Sequence, residues 1–250
     1  MNKENVYLLV DNSNTRTKFA LSIGGELGEV RILPTRDISC DSVLHVLRGW
    51  NFNSVCLCSV VPLAKAVIAE ALSGYSIVYL SAALVKSVDF KSYSGVATLG
   101  ADRVANVVAA VECAPLPLVA VDAGTATTFD VVVQGEDGPC FMGGVIAPGF
   151  SSVASCLHAK TAQLPEMMAG EDGPVIGGNT REAMATALRV GYPGMISSIL
   201  DAVEKEIGEK IHVVLTGGDA DMLNVALERT CVTVPRLTLQ GIAMVATGEY

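Results

Sequence analysis

The chain alternates short apolar runs with stretches of helical spacing. Val6 to Val10 is an apolar run that ends at Asp11, and after a polar turn Lys18 to Ile23 returns as a second strand, the pattern of a hairpin. Val43 to Trp50 has helical periodicity, Ser54 to Val61 reads as a strand, and Pro62 is placed to open a helix running to about Leu72. Ile77 to Leu80 follows as a strand and Ala101 to Cys113 as an alanine- and valine-rich helix, after which Pro115 and Pro117 punctuate the chain. A second series then begins. Leu118 to Val121 is an apolar run ending in Asp122, and Thr128 to Val133 and Cys140 to Ile146 are strand-like. Asn179 to Glu206 is a long helical stretch with a break expected near Gly191, Pro193 and Gly194. Val213 to Thr216 is a strand running into Gly217–Gly218, and a helix and a closing segment complete the chain. Strands interleaved with helices predict an α/β protein.

The two series echo one another. Leu8 to Phe19 (LLVDNSNTRTKF) lies 111 positions before Val119 to Asp130 (VAVDAGTATTFD). Each has an apolar strand, an aspartate, a small polar turn, threonines and a second strand. This repetition predicts two related halves around a cleft, residues 1–116 and 117–250, each with its own turn.

Composition narrows the field. Of 250 residues, 50% are hydrophobic and 17% charged, which excludes a disordered chain. A net charge of −9 disfavours nucleic acid as a partner and requires any anionic ligand to be met by local positive groups. The apolar run at Val6 is too short for a signal-peptide core. The most apolar stretch, Val104 to Val121, is interrupted by Asn106, Glu112, Pro115 and Pro117, so no membrane span is expected and a cytoplasmic location is. Seven irregularly spaced cysteines fit a reducing compartment. Cys56 and Cys58 would share one face of a strand, as core side chains rather than metal ligands. His45, His158 and His212 are scattered and read as surface or packing residues.

The turns carry the chemistry. A tight turn rich in Gly, Ser, Thr and Asn aims backbone N–H groups and hydroxyls at one point and so can cradle a phosphate. An aspartate ending the preceding strand holds a divalent ion that in turn binds the phosphate. Arg16 and Lys18 share a side of the second strand and add positive charge. The G-x-x-x-x-G-K-[ST], G-x-G-x-x-G, G-x-S-x-G and H-E-x-x-H patterns are absent. Leu99 to Arg103 (LGADR) puts Asp102 in the first turn of a helix, where a carboxylate suits the dipole, with Arg103 beside it to keep it ionised. Gly143 to Gly149 (GGVIAPG) is a strand entering a tight turn. In Gly177 to Thr180 (GGNT), Asn179 or Thr180 is placed to cap the long helix. Thr216 to Asp219 (TGGD) allows close backbone approach, to a flat ligand such as adenine or within a βα turn.

Taken in order, these motifs resemble the type III pantothenate kinase family of the acetate and sugar kinase, Hsp70 and actin superfamily. The resemblance runs from about Tyr7 to Gly218. It rests on Asp11 to Lys18, Gly100 to Arg103, Asp122 to Thr128, Gly143 to Gly149, and Asn179–Thr180 with a preceding glycine. It implies two ribonuclease-H-like halves of an actin-like ATPase fold around a central cleft, and ATP-dependent phosphorylation of pantothenate at the start of coenzyme A synthesis. By the same resemblance Asp11, Asn12, Ser13, Asn14, Thr15, Arg16, Thr17 and Lys18 hold the ATP phosphates, with Asp11 near Mg²⁺ and Thr125 also contacting ATP. Asp102 is the implied general base. Tyr93, Gly100, Ala101, Asp102, Arg103 and Thr180 hold pantothenate, and Asp122 binds a monovalent cation, K⁺ or NH₄⁺. The family works as a homodimer with the substrate site close to the subunit interface.

Two positions depart from the family pattern. The glycine of the first turn is Ser13, which would cost on the order of 1 kcal/mol if that position needs a positive φ. The segment after Tyr93 (SGVAT) lacks an expected Asn-Pro. Another small-molecule kinase or phosphatase of the superfamily, or a non-catalytic regulator keeping the fold, remain the alternatives.

Overall fold

The computed structural model describes residues 5–167 and 173–248. The apolar run at the N-terminus forms β1 (Val6–Asn12), which turns through Ser13 to Thr15 into antiparallel β2 (Arg16–Ile23). Gly24 and Gly25, both with positive φ (56° and 85°), then turn the chain into β3 (Glu26–Pro34). That strand escaped the sequence pattern because it lies at a sheet edge, where its side chains are mostly exposed or half-buried and the alternation is diluted. The first helix, α1 (Cys40–Val46), begins ahead of the expected Val43 because Ser39 and Ser42 form a reciprocal capping box at its head. β4 (Ser54–Ser59), α2 (Pro62–Ala71, with Pro62 in the first turn), β5 (Ser76–Tyr79) and α3 (Ala101–Ala110) follow as the pattern predicts.

The second series gives β6 (Leu118–Ala123), β7 (Ala126–Gln134), β8 (Pro139–Pro148) and α4 (Phe150–Lys160), the last unread in the sequence. The long helical stretch is α5 (Thr180–Thr186), one π-helical segment (Ala187–Gly191) and α6 (Tyr192–Ile207). Pro193 has no N–H to donate to the preceding turn, so the expected break takes the form of a π-bulge rather than a chain reversal. β9 (His212–Thr216), α7 (Ala220–Ala226), β10 (Cys231–Thr233) and α8 (Leu237–Thr247) complete the fold.

Two five-stranded sheets result, in the orders β3-β2-β1-β4-β5 and β8-β7-β6-β9-β10. In sequence rank both read third, second, first, fourth, fifth, so the repeated segments occupy equivalent central strands. Two compact units contain them: residues 1–113, 132–142 and 236–250 form one, and residues 114–131 and 143–235 the other. The closing helix α8 therefore belongs with the N-terminal sheet, and so does the distal part of the β7–β8 hairpin.

Within the first unit strand alternation sorts the residues. Leu8, Val10, Phe19, Val55 and Leu57 point to one face, where Val43, Leu47, Ile68 and Leu72 of α1, α2 and their ends cover them. Leu9, Asp11, Cys56 and Cys58 point to the other, which α3 and α8 cover. The α3–α8 contact is close enough that a Cβ on Gly241 would strike the Ala105 carbonyl, and Thr238 Oγ1 donates to the buried Asn106 Oδ1 at 2.8 Å. In the second unit Val119, Val121, Phe129, Leu215 and Ile196 share a core with Tyr192 and Leu200.

Gly241→Ala should force α8 away from α3 and lower stability by about 1–3 kcal/mol in urea denaturation. An unchanged midpoint would show that the two helices separate without loss.

Candidate active site

The first turn is built by strand register. Asp11 pairs with Lys18 on β2 and with Cys58 on β4, so the three side chains share the α3 face at the carboxyl ends of the parallel strands β1 and β4. Open α/β sheets bind ligands at that edge. Asp11 is buried, and both its oxygens are held: Ser13 Oγ donates to Oδ1 at 2.9 Å and Lys18 Nζ to Oδ2 at 3.0 Å. Ser13 N–H donates to the Arg16 carbonyl at 3.2 Å and closes the turn. Among the described residues no non-glycine has a positive φ, so Ser13 replaces the family glycine without left-handed strain. Its hydroxyl instead adds an anchor for Asp11.

Alternation also divides the eight residues expected at ATP. Ser13, Lys18 and Asp11 face α3, and Asn14, Thr15 and Arg16 are exposed at the tip. Asn12 and Thr17 are buried on the opposite face, where Asn12 Nδ2 donates to Thr17 Oγ1 and Asn12 Oδ1 accepts from Ser59 Oγ. The period-two spacing of a strand was the signal for this split.

α3 begins at the same edge. The Asp102 carboxylate lies over Gly100, where a Cβ would stand 2.5 Å from Oδ1, and Oδ1 accepts the Arg103 N–H at 2.8 Å. Gly100 thus makes room for the acid. Burial pushes the Asp102 carboxyl above the ordinary aspartate value. The Arg103 N–H opposes this, the negative charge of Asp11 adds to it, and the Arg103 guanidinium opposes it. Desolvation thus outweighs the adjacent cation, which was expected to keep Asp102 ionised, and the net shift is upward. Cys58 sits within the field of both carboxylates, and burial first, then Asp11 and Asp102, push its thiol well up. Burial pushes Cys56 to about 12. Both are uncharged core thiols, as the sequence reading had them.

Arg103 and Tyr93 converge on a residue no motif contains. Phe141, fully buried on β8, takes the Arg103 guanidinium 5.8 Å from its ring centroid and Tyr93 edge-on at 5.2 Å. Gly95 leaves space for the Tyr93 ring, and the segment is tied to β8 by Asp89 N–H to Pro139 O and Phe141 N–H to Asp89 O. Pairing between segments so distant in sequence leaves no local signal.

In the second unit Asp122 is the penultimate residue of β6, which runs one position past the expected end. Gly217, with φ of 94°, lies against the Ala123 carbonyl, and a Cβ there would also stand 2.6 Å from Asp122 Oδ1. Gly149 packs so closely on the Gly124 carbonyl that a Cβ would overlap it, and its N–H donates to Thr125 O at 3.1 Å. Gly149 and Gly217 thus clamp the second turn by backbone approach. Thr127 shares a 2.8 Å hydrogen bond with Tyr192, which follows the π-bulge and stands edge-on to Phe150. Burial pushes the Tyr192 hydroxyl and the Asp219 carboxyl up. Asn179 caps α5 by accepting the Glu182 N–H at 3.0 Å, while Thr180 is exposed at its first position. His45, His158 and His212 are exposed.

Metal fit follows from the donors present. A carboxylate offers about four lone-pair directions, and Ser13 and Lys18 use two of those on Asp11. Among the described residues no group of three or more His, Cys, Asp or Glu side chains encloses a metal. Asp11 thus suits Mg²⁺ held through one carboxylate, water and phosphate oxygens, not an all-protein cage. Asp122 Oδ1 and the Ala123 carbonyl oxygen both lie close to Gly217, and oxygen donors of that kind suit a hard cation. Among the described residues no helix is long and apolar enough to cross a membrane.

Residues 7–202 match the family model described as type III pantothenate kinase. The type III pantothenate kinase of Akkermansia muciniphila is 41% identical over 253 residues, covering 96% of this chain and 98% of the relative. That of Methylacidiphilum infernorum is 35% identical over 240 residues, covering 95% and 87%. Among solved structures, a Baf family protein from Campylobacter jejuni has a TM-score of 0.64 at 18% identity, covering 97% of this chain and 98% of that one. A glucokinase from an Antarctic psychrotroph has 0.52 at 11%, covering 98% and 100%. These two likenesses carry the fold: the actin-like ATPase architecture of paired α/β units.

The raised Asp102 carboxyl sets a stability prediction with a sign. Folded Asp102 holds its proton more tightly than the unfolded chain does. Stability is therefore lost as pH rises from the ordinary value of 3.8 through the raised folded value. At neutral pH, above the ordinary value, that penalty is present, so Asp102→Asn should raise Tm there, and the gain should shrink as pH falls toward 3.8. A variant less stable than wild type at neutral pH would show that the Arg103 contacts outweigh burial.

Proposed function

The chain belongs to the type III pantothenate kinase family, and we propose that it transfers the γ-phosphoryl group of ATP to the hydroxyl of pantothenate, the first step of coenzyme A synthesis. The observation that carries this reading is the Asp102 carboxylate, half-buried over Gly100 at the edge where Asp11 and Lys18 close the first turn. Phosphoryl transfer needs an aligned nucleophile, a proton acceptor and neutralised phosphate charge.

Asp102 takes the hydroxyl proton as the oxygen bonds to the γ-phosphorus and the bond to the bridging oxygen breaks, releasing ADP. A carboxyl raised by burial suits that task, because a stronger base accepts the proton more readily in the transition state. Asn14, Thr15, Arg16 and Lys18, with the backbone of Ser13, hold the phosphates from the exposed side of the turn, and Asn12 and Thr17 brace it from behind. Thr125 adds a contact from the second turn. Tyr93, Gly100, Ala101, Arg103 and Thr180 hold pantothenate, with Arg103 meeting its carboxylate. Mg²⁺, when bound beside Asp11, supplies charge neutralisation at the phosphates. Asp122 holds K⁺ or NH₄⁺ for the same purpose.

A homodimer completes the reading, supported by the exposed Met142 and Ile146 on the edge strand β8. The non-catalytic alternative drew on Ser13, whose ordinary φ removes that argument.

A coupled ADP-release assay with Mg²⁺, K⁺ and pantothenate tests the reading. Turnover is expected, and none from folded protein at saturating ATP would overturn it. Asp102→Asn should lose at least about 100-fold in kcat. Gly100→Ala should also lose turnover by displacing the Asp102 carboxylate, with ATP affinity retained, and a fully active Gly100→Ala enzyme would remove Asp102 from that role.

A further inference from the structure

Behind the first turn, on the sheet face away from Asp11, four side chains form a hydrogen-bonded chain whose direction is forced. Ser59 Oγ donates to Asn12 Oδ1 at 2.6 Å, and Asn12 Nδ2 donates to Thr17 Oγ1 at 2.8 Å. The Thr17 and Thr35 hydroxyls stand 3.0 Å apart, and Thr35 Oγ1 lies 2.7 Å from the Ser13 carbonyl oxygen. A carbonyl only accepts and a hydroxyl has one proton, so Thr35 donates to Ser13 and Thr17 donates to Thr35. All four bonds point from β4 toward the turn, an arrangement in which neighbours polarise one another. Asn12, Thr17 and Thr35 are all buried.

Thr35 stands outside every motif in the sequence. It opens the short 3₁₀ turn after β3, and its N–H donates to the Thr15 carbonyl at 3.0 Å. One residue thereby holds the carbonyls on both sides of Asn14. Because a trans peptide sets N–H opposite C=O, fixing the Ser13 carbonyl toward Thr35 aims the Asn14 N–H away from it.

We propose that Thr35 is a positioning residue for ATP. From behind the sheet it sets the orientation of the Ser13–Asn14 peptide, so that the turn meets the phosphates with its N–H groups already aimed. This rests on the reading that Asp11 to Lys18 hold ATP. The buried chain supplies preorganisation, because a turn free to flip that peptide would present a carbonyl oxygen to an anion.

The test measures Mg·ATP affinity by calorimetry and steady-state kinetics on the full chain. Thr35→Val keeps the shape but leaves the Ser13 carbonyl and the Thr17 hydroxyl without their partner. It should raise Kd and KM for ATP about tenfold while KM for pantothenate stays unchanged. Thr35→Ser restores the hydroxyl and should return both to within about twofold of wild type. Ser59→Ala, at the far end of the chain and mild if Thr35→Val does not fold, should raise KM for ATP about twofold in the same direction. Unchanged ATP affinity in folded Thr35→Val, or in Ser59→Ala if Thr35→Val fails to fold, overturns the proposal. So does activity that falls only with the folded fraction. Wild-type protein that binds Mg·ATP without phosphorylating pantothenate would overturn the kinase reading alone, and calorimetry would still decide the role of Thr35. Wild-type protein that binds no Mg·ATP overturns both.

Discussion

Two like-charged carboxylates held near one another at the edge of a single sheet set the terms for everything around them. The charge of Asp11 raises the cost of ionising Asp102, and Asp11 is buried while Asp102 is half-buried. The fold answers with different partners for each. Lys18, placed opposite Asp11 by strand register, pairs its charge. Asp102 has the Arg103 N–H and the first turn of α3, whose dipole favours a negative group. Cys58, beside Asp11 in register and within the field of both acids, offers a thiol that burial keeps uncharged. One acid is thus paired with a cation while burial raises the proton affinity of the other.

The same edge shows how a strand serves two purposes at once. Successive residues of β1 point to opposite faces, so Asp11 looks toward α3 and Asn12 toward the hydrogen-bonded chain behind. The front face carries charge and exposed donors, and the back face carries a buried, fully paired polar chain. Hydrogen bonds of that kind add little net stability each, but an unpaired member would be destabilising, so they specify one conformation of the turn.

The duplicated unit solves the same problem by another means. Both sheets have the same strand order, and both central hairpins follow an aspartate. In the first unit the turn is held by side chains, through Ser13, Asn12, Thr17 and Thr35. In the second, backbone approach through Gly149 and Gly217 contributes, with Ser152 Oγ donating to the Thr125 carbonyl and Tyr192 bonded to Thr127. The glycines of GGVIAPG and TGGD are therefore part of how the second turn is packed.

Much of this was legible in the chain. Apolar runs of period two and helices of period near four located most elements, because burial of one face is a local pattern. Pro62 marked a helix start, the Gly191–Pro193 stretch marked the π-bulge, and Asp11, Asp122 and LGADR stood where strands and a helix meet turns. An edge strand with little buried surface, β3, left no such trace. The sequence by itself determined most of the element order, all but β3 and α4 among the main elements, together with the repeated pattern and the residue types at the turns. Tertiary structure alone decided that Thr35 reaches the first turn, that Phe141 seats Arg103 and Tyr93, and that α8 closes the first unit. It also decided that burial outweighs Arg103 at Asp102. The reason is common to all four: each depends on which distant segments exclude water from a given atom, and a linear pattern carries no record of that.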